Sequence, residues 1–378
     1  MTETNLVERI SSEIDQIVEL LRQLVEMESP SHSKELVDCL GVFVADYLHG
    51  KGFHPEVIPR ETVGDIRWTE WGGQEEGRIL VLCHLDTVWD SGSLKKNPFR
   101  IEDGRIYGPG IFDMKSSVVA TLKIQEYLSK GWIKTRKNIR FLYTTDEETD
   151  SSQSREIIED FAQQSDLVLV LEPPLPGGVL KTFRKGVGSY NLKIHGKRAH
   201  SGLDPQKGVN ALEEMARQVL DINSLASPDV GTTVAVNLVR GGTARNVIPE
   251  YAEGLIDVRF RTLEEGKRID QLMRDRVIHL PGISLEVEGG IERQPMVKSE
   301  DSHELFCQAR DIAAELDIDL EEGESGGASD GNFTAVLGVA TLDGLGITGD
   351  GAHAWNEHIL LEAVAPRIAF LARLLESF

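Results

Sequence analysis

The sequence predicts an α/β protein: a mostly parallel sheet flanked by helices, interrupted by an inserted ferredoxin-like domain. Two observations support this fold class. Strand-like apolar segments alternate with helical patterns through the first 183 residues, as in parallel sheets covered on both faces. From residue 184 the predicted order becomes strand–helix–strand–strand–helix–strand. We therefore expect a discontinuous domain of residues 1–183 and 290–378, and an inserted domain of residues 184–289.

The first domain begins with alternating helices and strands. Helical spacing of apolar residues predicts helices at about residues 7–25, 34–49 and 116–127. Apolar runs predict strands at residues 53–59, 78–83, 139–144 and 167–171. Three of these strands are followed by His84, by residues 146–148 (Asp-Glu-Glu) and by Glu172. The carboxyl ends of strands are where open α/β sheets bind ligands, so these side chains are functional candidates.

The inserted segment reads as a complete small domain. Its predicted strands are residues 187–194, 233–239, 251–260 and 283–287, and its predicted helices are residues 209–222 and 264–280. The first domain then resumes with a helix at 303–316, a Gly/Ser-rich loop at 323–330, an apolar segment at 336–342 and a helix at about 360–375.

The composition argues against several classes of protein. The formal net charge is −22, whereas nucleic-acid binding needs a basic surface. No apolar run approaches the roughly 20 residues of a membrane span, and the N-terminus lacks a basic stretch followed by an apolar one. Three widely spaced cysteines indicate a reduced compartment. We therefore expect a cytoplasmic protein that binds neither nucleic acid nor membrane.

Five residues form a candidate set of metal ligands: His84, Asp113, Glu148, Glu172 and His353. Taken singly, each is more simply explained as a solvated carboxylate or a surface histidine. Together, two imidazoles and three carboxylates can hold two divalent ions, with one carboxylate bridging them. Mixed nitrogen and oxygen ligands suit Zn²⁺, Co²⁺ or Mn²⁺.

The order of the motifs along the chain is also informative. They are His84-Leu85-Asp86, residues 108–115 (GPGIFDMK), residues 146–148, Glu172 and residues 351–353 (GAH). This order resembles the zinc-dependent aminoacylase and carboxypeptidase family. That family includes glutamate carboxypeptidases, acetylornithine deacetylases, succinyl-diaminopimelate desuccinylases, dipeptidases and aminoacylases. The resemblance covers nearly the whole chain, the inserted domain included.

The resemblance implies a role for each metal ligand. His84 and Glu172 would bind one ion, Glu148 and His353 the other, and Asp113 would bridge the two. The ions would be Zn²⁺ in the first instance, with Co²⁺ or Mn²⁺ as alternatives.

Two further carboxylates gain roles from the same resemblance. Asp86, two positions after His84 and on the same face of a strand, would orient that histidine. Glu147 would be the general base, because a carboxylate beside two cations can take a proton from an activated water and pass it to the leaving amine. A cis peptide bond is implied between Asp113 and Met114.

In the inserted domain the resemblance implies substrate contacts. His200 would reach across a homodimer and stabilise the oxyanion in the partner's site. Asn246 would point at the substrate, and Arg259 would clamp its carboxylate, aided by Arg293. Gly327 would line the pocket in the Gly-rich loop. The plainer alternatives are a turn residue for His200 and a surface salt bridge for Arg259.

These expectations lead to a functional hypothesis. A glutamate at position 172, where dipeptidase-like members carry aspartate, favours a glutamate carboxypeptidase-like hydrolase. Its substrate would be a peptide or N-acyl amino acid with a free α-carboxylate next to the bond that is cut. The alternatives are an N-acyl diamino acid deacylase, a dipeptidase, or a protein that binds a peptide or amino acid without catalysis.

Overall fold

The computed structural model describes residues 6–73 and 75–378. The chain divides into two compact units. The first unit contains the described residues up to Phe183 together with Val297–Ser325 and Ser329–Phe378. The second unit contains Arg184–Met296 and Gly326–Ala328.

Helices and strands alternate along the described chain. The helices are α1 (Leu6–Ser11), α2 (Ile14–Glu26), α3 (Lys34–His49), α4 (Ser116–Ser129), α5 (Arg155–Gln163), α6 (Ala211–Asn223), α7 (Leu263–Arg274), α8 (Glu300–Ala314), α9 (Gly331–Val336) and α10 (Leu361–Ser377). The strands are β1 (Glu56–Ile58), β2 (Ile66–Trp71), β3 (Arg78–His84), β4 (Arg100–Glu102), β5 (Arg105–Tyr107), β6 (Asn138–Thr144), β7 (Leu167–Val170), β8 (Leu180–Arg184), β9 (Gly186–His195), β10 (Ala199–His200), β11 (Thr233–Gly241), β12 (Val247–Ile248), β13 (Tyr251–Phe260), β14 (Ser284–Arg293), β15 (Glu322–Ser325), β16 (Ala340–Asp343), β17 (Gly349–Asp350) and β18 (His358–Leu360).

The first unit is built on an eight-stranded sheet in the order β1-β2-β6-β3-β7-β16-β8-β15. The central strands β6, β3, β7 and β16 are parallel, as predicted, and β1, β2 and β8 pair in antiparallel fashion. In this register His84 pairs with Thr144, and Leu82 pairs with Val170. The polar residues that follow β3, β6 and β7 therefore leave the sheet at the same edge.

Strand β3 is buried on both faces, because its alternate side chains enter different cores. Ile79, Val81 and Cys83 pack into the core formed with α2, α3, α4 and α10. Leu80 and Leu82 pack on the opposite face, with residues of α5 and α9. Helix α4 runs through the first core with buried side chains along almost its whole length. Packing on both faces fixes the position of the C-terminal end of β3, and therefore the position of His84.

The second unit is a four-stranded antiparallel sheet in the order β11-β13-β9-β14. Helices α6 and α7 contribute Ala211, Met215, Ile222, Ile269 and Met273 to a core separate from those of the first unit. The element order β9-α6-β11-β13-α7-β14 is the predicted strand–helix–strand–strand–helix–strand arrangement.

The structure differs from the prediction at several elements. The helix predicted at residues 7–25 is split into α1 and α2, and β2, α5 and β15 lie where no element was predicted. Strand β14 continues to Arg293, so the predicted boundary after residue 289 falls inside a strand. The C-terminal half of β14 is rich in Gly and Glu and pairs with β9 through backbone hydrogen bonds, which a pattern of apolar residues cannot reveal.

None of the helices in the part of the chain that the structure describes combines the length and apolar character needed to cross a membrane.

Candidate metal centre

His84 ends β3 with its ring buried and oriented by Asp86. The side chain is 2% exposed, and Nδ1 donates to the backbone carbonyl of Asp86 at 2.9 Å. The Asp86 carboxylate lies 3.5 Å from the same nitrogen. With its proton on Nδ1, the ring presents Nε2 to Asp113 Oδ1 at 3.2 Å and to Glu172 Oε1 at 3.5 Å.

Asp113 faces both histidines. Its Oδ1 lies toward His84, and its Oδ2 lies 3.3 Å from His353 Nε2. The residue sits in an irregular turn (Ile111–Lys115) just before α4, and the Asp113–Met114 peptide bond is cis, as predicted. One carboxylate is thus shared between two groups of side chains.

Glu148 and His353 complete the second group. Glu148 lies in the short turn Glu147–Thr149 after β6, and its Oε2 is 3.2 Å from His353 Nε2. Its other oxygen, Oε1, is buried without a hydrogen-bond partner among the described residues. His353 has a φ of 63°, a left-handed conformation that few non-glycine residues adopt. Strained backbone of this kind is characteristic of functional sites.

The five predicted ligands therefore form two overlapping sets. His84, Asp113 and Glu172 present ligand atoms within 4.8 Å of one another, and so do Asp113, Glu148 and His353. Nitrogen and carboxylate oxygen donors in this number suit divalent ions such as Zn²⁺. The unpartnered Glu148 Oε1 fits a site that a cation completes.

The charges in the cluster favour a positive partner. Hydrogen bonds to Asp113 and Glu148 raise the pKa of His353 to about 11. Although burial opposes it, contacts with His353 and His84 lower the pKa of Asp113. Burial and the nearby charge of Asp113 raise the pKa of Glu148 to about 7. Carboxylates held this close repel one another unless positive charge lies between them.

Asp86 also holds the turn that carries Glu147 and Glu148. It is fully buried, and its oxygens accept from the backbone N–H of Glu147 at 3.3 Å and of Glu148 at 3.2 Å. The hydroxyl of Ser31 donates to it at 2.7 Å. Although burial opposes it, the contact with His84 lowers the pKa of Asp86. One carboxylate therefore fixes ligands on two strands.

The chain matches the family described as Peptidase family M20/M25/M40 over residues 80–377. The protein belongs to this family. Its members share a dinuclear metal site, and the protein is a metal-dependent peptidase or amidohydrolase. This agrees with the resemblance drawn from the motifs.

Individual members of the family are similar over most of the chain. Carboxypeptidase G2 of Pseudomonas sp. (strain RS-16) is 28% identical over 382 residues, covering 98% of this chain and 91% of its own. A succinyl-diaminopimelate desuccinylase of Thioalkalivibrio sulfidiphilus is 28% identical over 340 residues, covering 84% and 88%. The structure of the dipeptidase Dug1p of Saccharomyces cerevisiae matches with a TM-score of 0.76 at 16% identity, covering 99% and 98%. This last similarity concerns the fold alone.

The predicted substrate contacts all lie in the second unit. His200 is exposed, and its Nδ1 accepts from the N–H groups of Gly202 and Leu203, both at 3.1 Å. In the neutral ring the proton is therefore on Nε2, which can donate. Asn246 is exposed, and its backbone carbonyl accepts from Ser201 N–H at 3.0 Å.

Arg259 and Gly327 already have partners within the second unit. Arg259 binds Asp257 through Nε and Nη2 at 2.7–3.0 Å, which is the alternative salt bridge that the sequence left open. Arg293 is buried at the end of β14. The carbonyl of Gly327 accepts from Arg184 at 3.3 Å.

Sequence reasoning missed Glu357 and two tryptophans near His353. Glu357 is fully buried and accepts from Trp89 Nε1 at 2.6 Å. The rings of Trp89 and Trp355 lie 4.7 Å apart and line a cavity of about 450 Å³ that His353 also borders. Glu357 lies only four positions after His353, so an extended reading of the GAH motif was the available signal.

Proposed function

We propose that this protein is a two-metal hydrolase that cuts an amide or peptide bond next to a free α-carboxylate. The most fitting reaction is of the glutamate carboxypeptidase type, releasing a C-terminal glutamate or removing an N-acyl group. The observation that carries the proposal is the orientation of the Asp113 carboxylate, which directs one oxygen toward each of the two ligand sets. The similarity to carboxypeptidase G2 supports the substrate class.

The metal assignment follows the two ligand sets. His84 and Glu172 would hold one ion, Glu148 and His353 the other, and Asp113 both. Zn²⁺ suits these donors best, with Co²⁺ or Mn²⁺ as alternatives. When bound, such a pair supplies Lewis-acid polarisation of the carbonyl and acidifies water.

Glu147 is the proposed general base. Its backbone N–H is held by Asp86 Oδ1, in the same turn that supplies the ligand Glu148. Its carboxylate would accept the proton of the attacking water and deliver it to the nitrogen of the leaving amine.

The second unit is proposed to supply the substrate contacts. His200 would donate from Nε2 to the oxyanion in the partner's site, which requires a homodimer. Asn246, Arg293 and Gly327 would contact the substrate. Arg259 would bind the substrate α-carboxylate only after exchanging its present partner, Asp257. We place this enzyme in the cytoplasm on the composition alone.

Two other substrates fit the same chemistry. The similarity to a succinyl-diaminopimelate desuccinylase favours an N-acyl diamino acid, and a dipeptide is the other alternative. The last alternative is a protein that binds a peptide or amino acid without catalysis. Such a protein would need neither a complete set of metal-binding residues nor a carboxylate beside them, so Glu147 and the five metal ligands argue against it.

Hydrolysis of a small panel by the wild type and by Glu147→Gln tests the proposal. The panel contains an N-acyl glutamate, N-acetylornithine, an N-succinyl diamino acid and a β-alanyl dipeptide. We expect the N-acyl glutamate to be hydrolysed fastest, and Glu147→Gln to lose about 10²–10⁴-fold in kcat. Elemental analysis should find unchanged metal in the variant. Normal turnover by Glu147→Gln would refute the base assignment, and preference for another substrate would change the class.

A further inference from the structure

Glu357 is a buried carboxylate that no step of the proposed reaction uses. It is 0% exposed and forms no ion pair among the described residues. Its Oε1 accepts from the backbone N–H of Phe112 at 2.8 Å and of Asp113 at 3.0 Å. Its Oε2 accepts from the backbone N–H of Gly110 at 2.8 Å and from Trp89 Nε1 at 2.6 Å. Four donors therefore meet the four lone pairs of one carboxylate.

Three of these donors, the backbone N–H groups of Gly110, Phe112 and Asp113, belong to a turn with irregular backbone. Gly110 has a φ of 69°, and Asp113 and Met114 have φ/ψ of −117°/92° and −134°/38°, outside the helical region. The N–H groups before α4 therefore lack the acceptors that a regular helix would provide. Glu357 provides them from a distant part of the sequence, so the path of the turn depends on its two oxygens.

The same carboxylate ties together the segments that carry two ligands. Glu357 lies four residues after His353 and directly before β18, which pairs with β5 just ahead of the Asp113 turn. Strand pairing aligns the two segments, and Glu357 crosslinks them at the ligand end. The placement of the Asp113 carboxylate relative to His353 is thus set through the backbone.

We propose that Glu357 is a positioning residue that holds the Asp113 carboxylate where it can serve both metal ions. This inference rests on the proposed two-metal function. A carboxamide at position 357 keeps the shape but presents its NH₂ group to N–H donors, so at least one pair of hydrogen bonds is lost. The Asp113 turn would then shift, and both ligand sets would be distorted together.

The test is titration of the metal-free full-length protein with Co²⁺, followed by calorimetry and by visible absorption. Glu357→Gln is expected to weaken both binding steps by about 10–100-fold, the usual effect of losing a residue that orients a ligand. The cobalt absorption bands should also shift, since they report ligand geometry. A loss of stability alone would move neither readout.

Two variants serve as matched controls. Trp89→Phe removes one donor from Glu357 Oε2 but leaves Asp113 N–H bound, so both affinities should stay within about threefold of wild type. Thr69→Val removes a buried hydrogen bond to Gln125 that involves no ligand residue, and should lower stability without changing cobalt affinity.

The outcomes separate this inference from the function on which it rests. If the wild type binds fewer than two Co²⁺ ions, the two-metal function itself fails. If the wild type binds two and Glu357→Gln binds them equally well, only the positioning role is overturned. Should Glu357→Gln not fold, Glu357→Asp is titrated in its place with the same expectation. If neither folds while Thr69→Val does, Glu357 maintains the fold and not the site, which also overturns the proposal.

Discussion

At the scale of single residues, the five ligands are not equivalent, because among the described residues Asp113 alone belongs to both ligand sets. Its Oδ1 lies 3.2 Å from His84 and its Oδ2 lies 3.3 Å from His353, whereas Glu172 belongs to the first set alone. Removing one carboxylate or the other should therefore have different consequences for the two metal ions.

Calorimetric titration with Zn²⁺ can detect this difference. Asp113→Asn should weaken both binding steps by more than the roughly 10–100-fold typical of residues that merely orient a ligand. Glu172→Gln should weaken one step and leave the other near its wild-type affinity. An Asp113→Asn variant that loses only one step would contradict the bridging assignment.

The candidate metal ligands at strand ends were predictable, because both their residue type and their position after an apolar strand indicate a binding site. His84, Glu148 and Glu172 follow strands whose apolar runs are easily recognised, and the structure brings their atoms together. Glu357 could not be found in this way. Its closeness to His353 in the sequence marks it as a neighbour of the site, but its role depends on backbone N–H groups more than 240 positions earlier in the chain, which the residues around it do not specify.

At the scale of elements, helix α4 is stabilised by a charge network as well as by the apolar core. Glu126 accepts from the Tyr47 hydroxyl at 2.5 Å and lies 2.5 Å from Lys130, 3.0 Å from Lys123 and 3.3 Å from Lys51. Although burial opposes it, these contacts lower the pKa of Glu126 from 4.5 to about 2. The charged carboxylate therefore stabilises the folded state.

Glu126→Gln should lower the free energy of unfolding by about 2 kcal/mol at pH 7. A carboxyl whose pKa is lower when folded stabilises the protein above its unfolded pKa, near 4.5, and loses that contribution as the pH falls toward 2. Urea unfolding of both proteins at pH 7, 4.5 and 3.5 measures this. The difference between them should shrink with acidity, and a difference independent of pH would contradict the assignment.

Elements with apolar periodicity were predictable, and those organised by the backbone were not. Helix α4 and strands β3, β6 and β7 lie close to their predicted bounds because apolar residues recur throughout them, as expected of elements buried along almost their whole length. Strand β2, with two tryptophans and two charged residues, and the Gly/Glu-rich end of β14 are defined by hydrogen bonds to their neighbours. The alternation of apolar and polar residues stops after Thr69 in β2 and is interrupted by Gly289 and Gly290 in β14.

At the scale of the whole molecule, the change from parallel to antiparallel patterning revealed an inserted unit from one sequence. The two units have separate hydrophobic cores, so the pattern of apolar residues in each part of the sequence reflects the packing of that unit alone. Cooperation between subunits cannot be read from such patterns, and the ring of the exposed His200 accepts hydrogen bonds from Gly202 and Leu203 of its own loop. The homodimer is therefore a prediction that needs its own test.

Mixing two inactive variants tests it. His200→Ala lacks the proposed oxyanion donor, and Glu147→Gln lacks the base. If His200 acts in the partner's site, an equal mixture of refolded or exchanged subunits should recover about a quarter of wild-type activity, since half of the dimers are mixed and each has one intact site. Each variant alone is the control. No recovery in a mixture that size exclusion shows to be dimeric would mean that His200 acts within its own subunit or not at all.

The most direct test of the account is activity during metal reconstitution. The enzyme is exhaustively chelated, and hydrolysis of an N-acyl glutamate is then followed as Zn²⁺ is added back. We expect no activity without metal and full activity near two equivalents per chain, because Asp113 serves two ligand sets. Full activity after chelation, or complete recovery with a single equivalent, would contradict the proposed pair of ions.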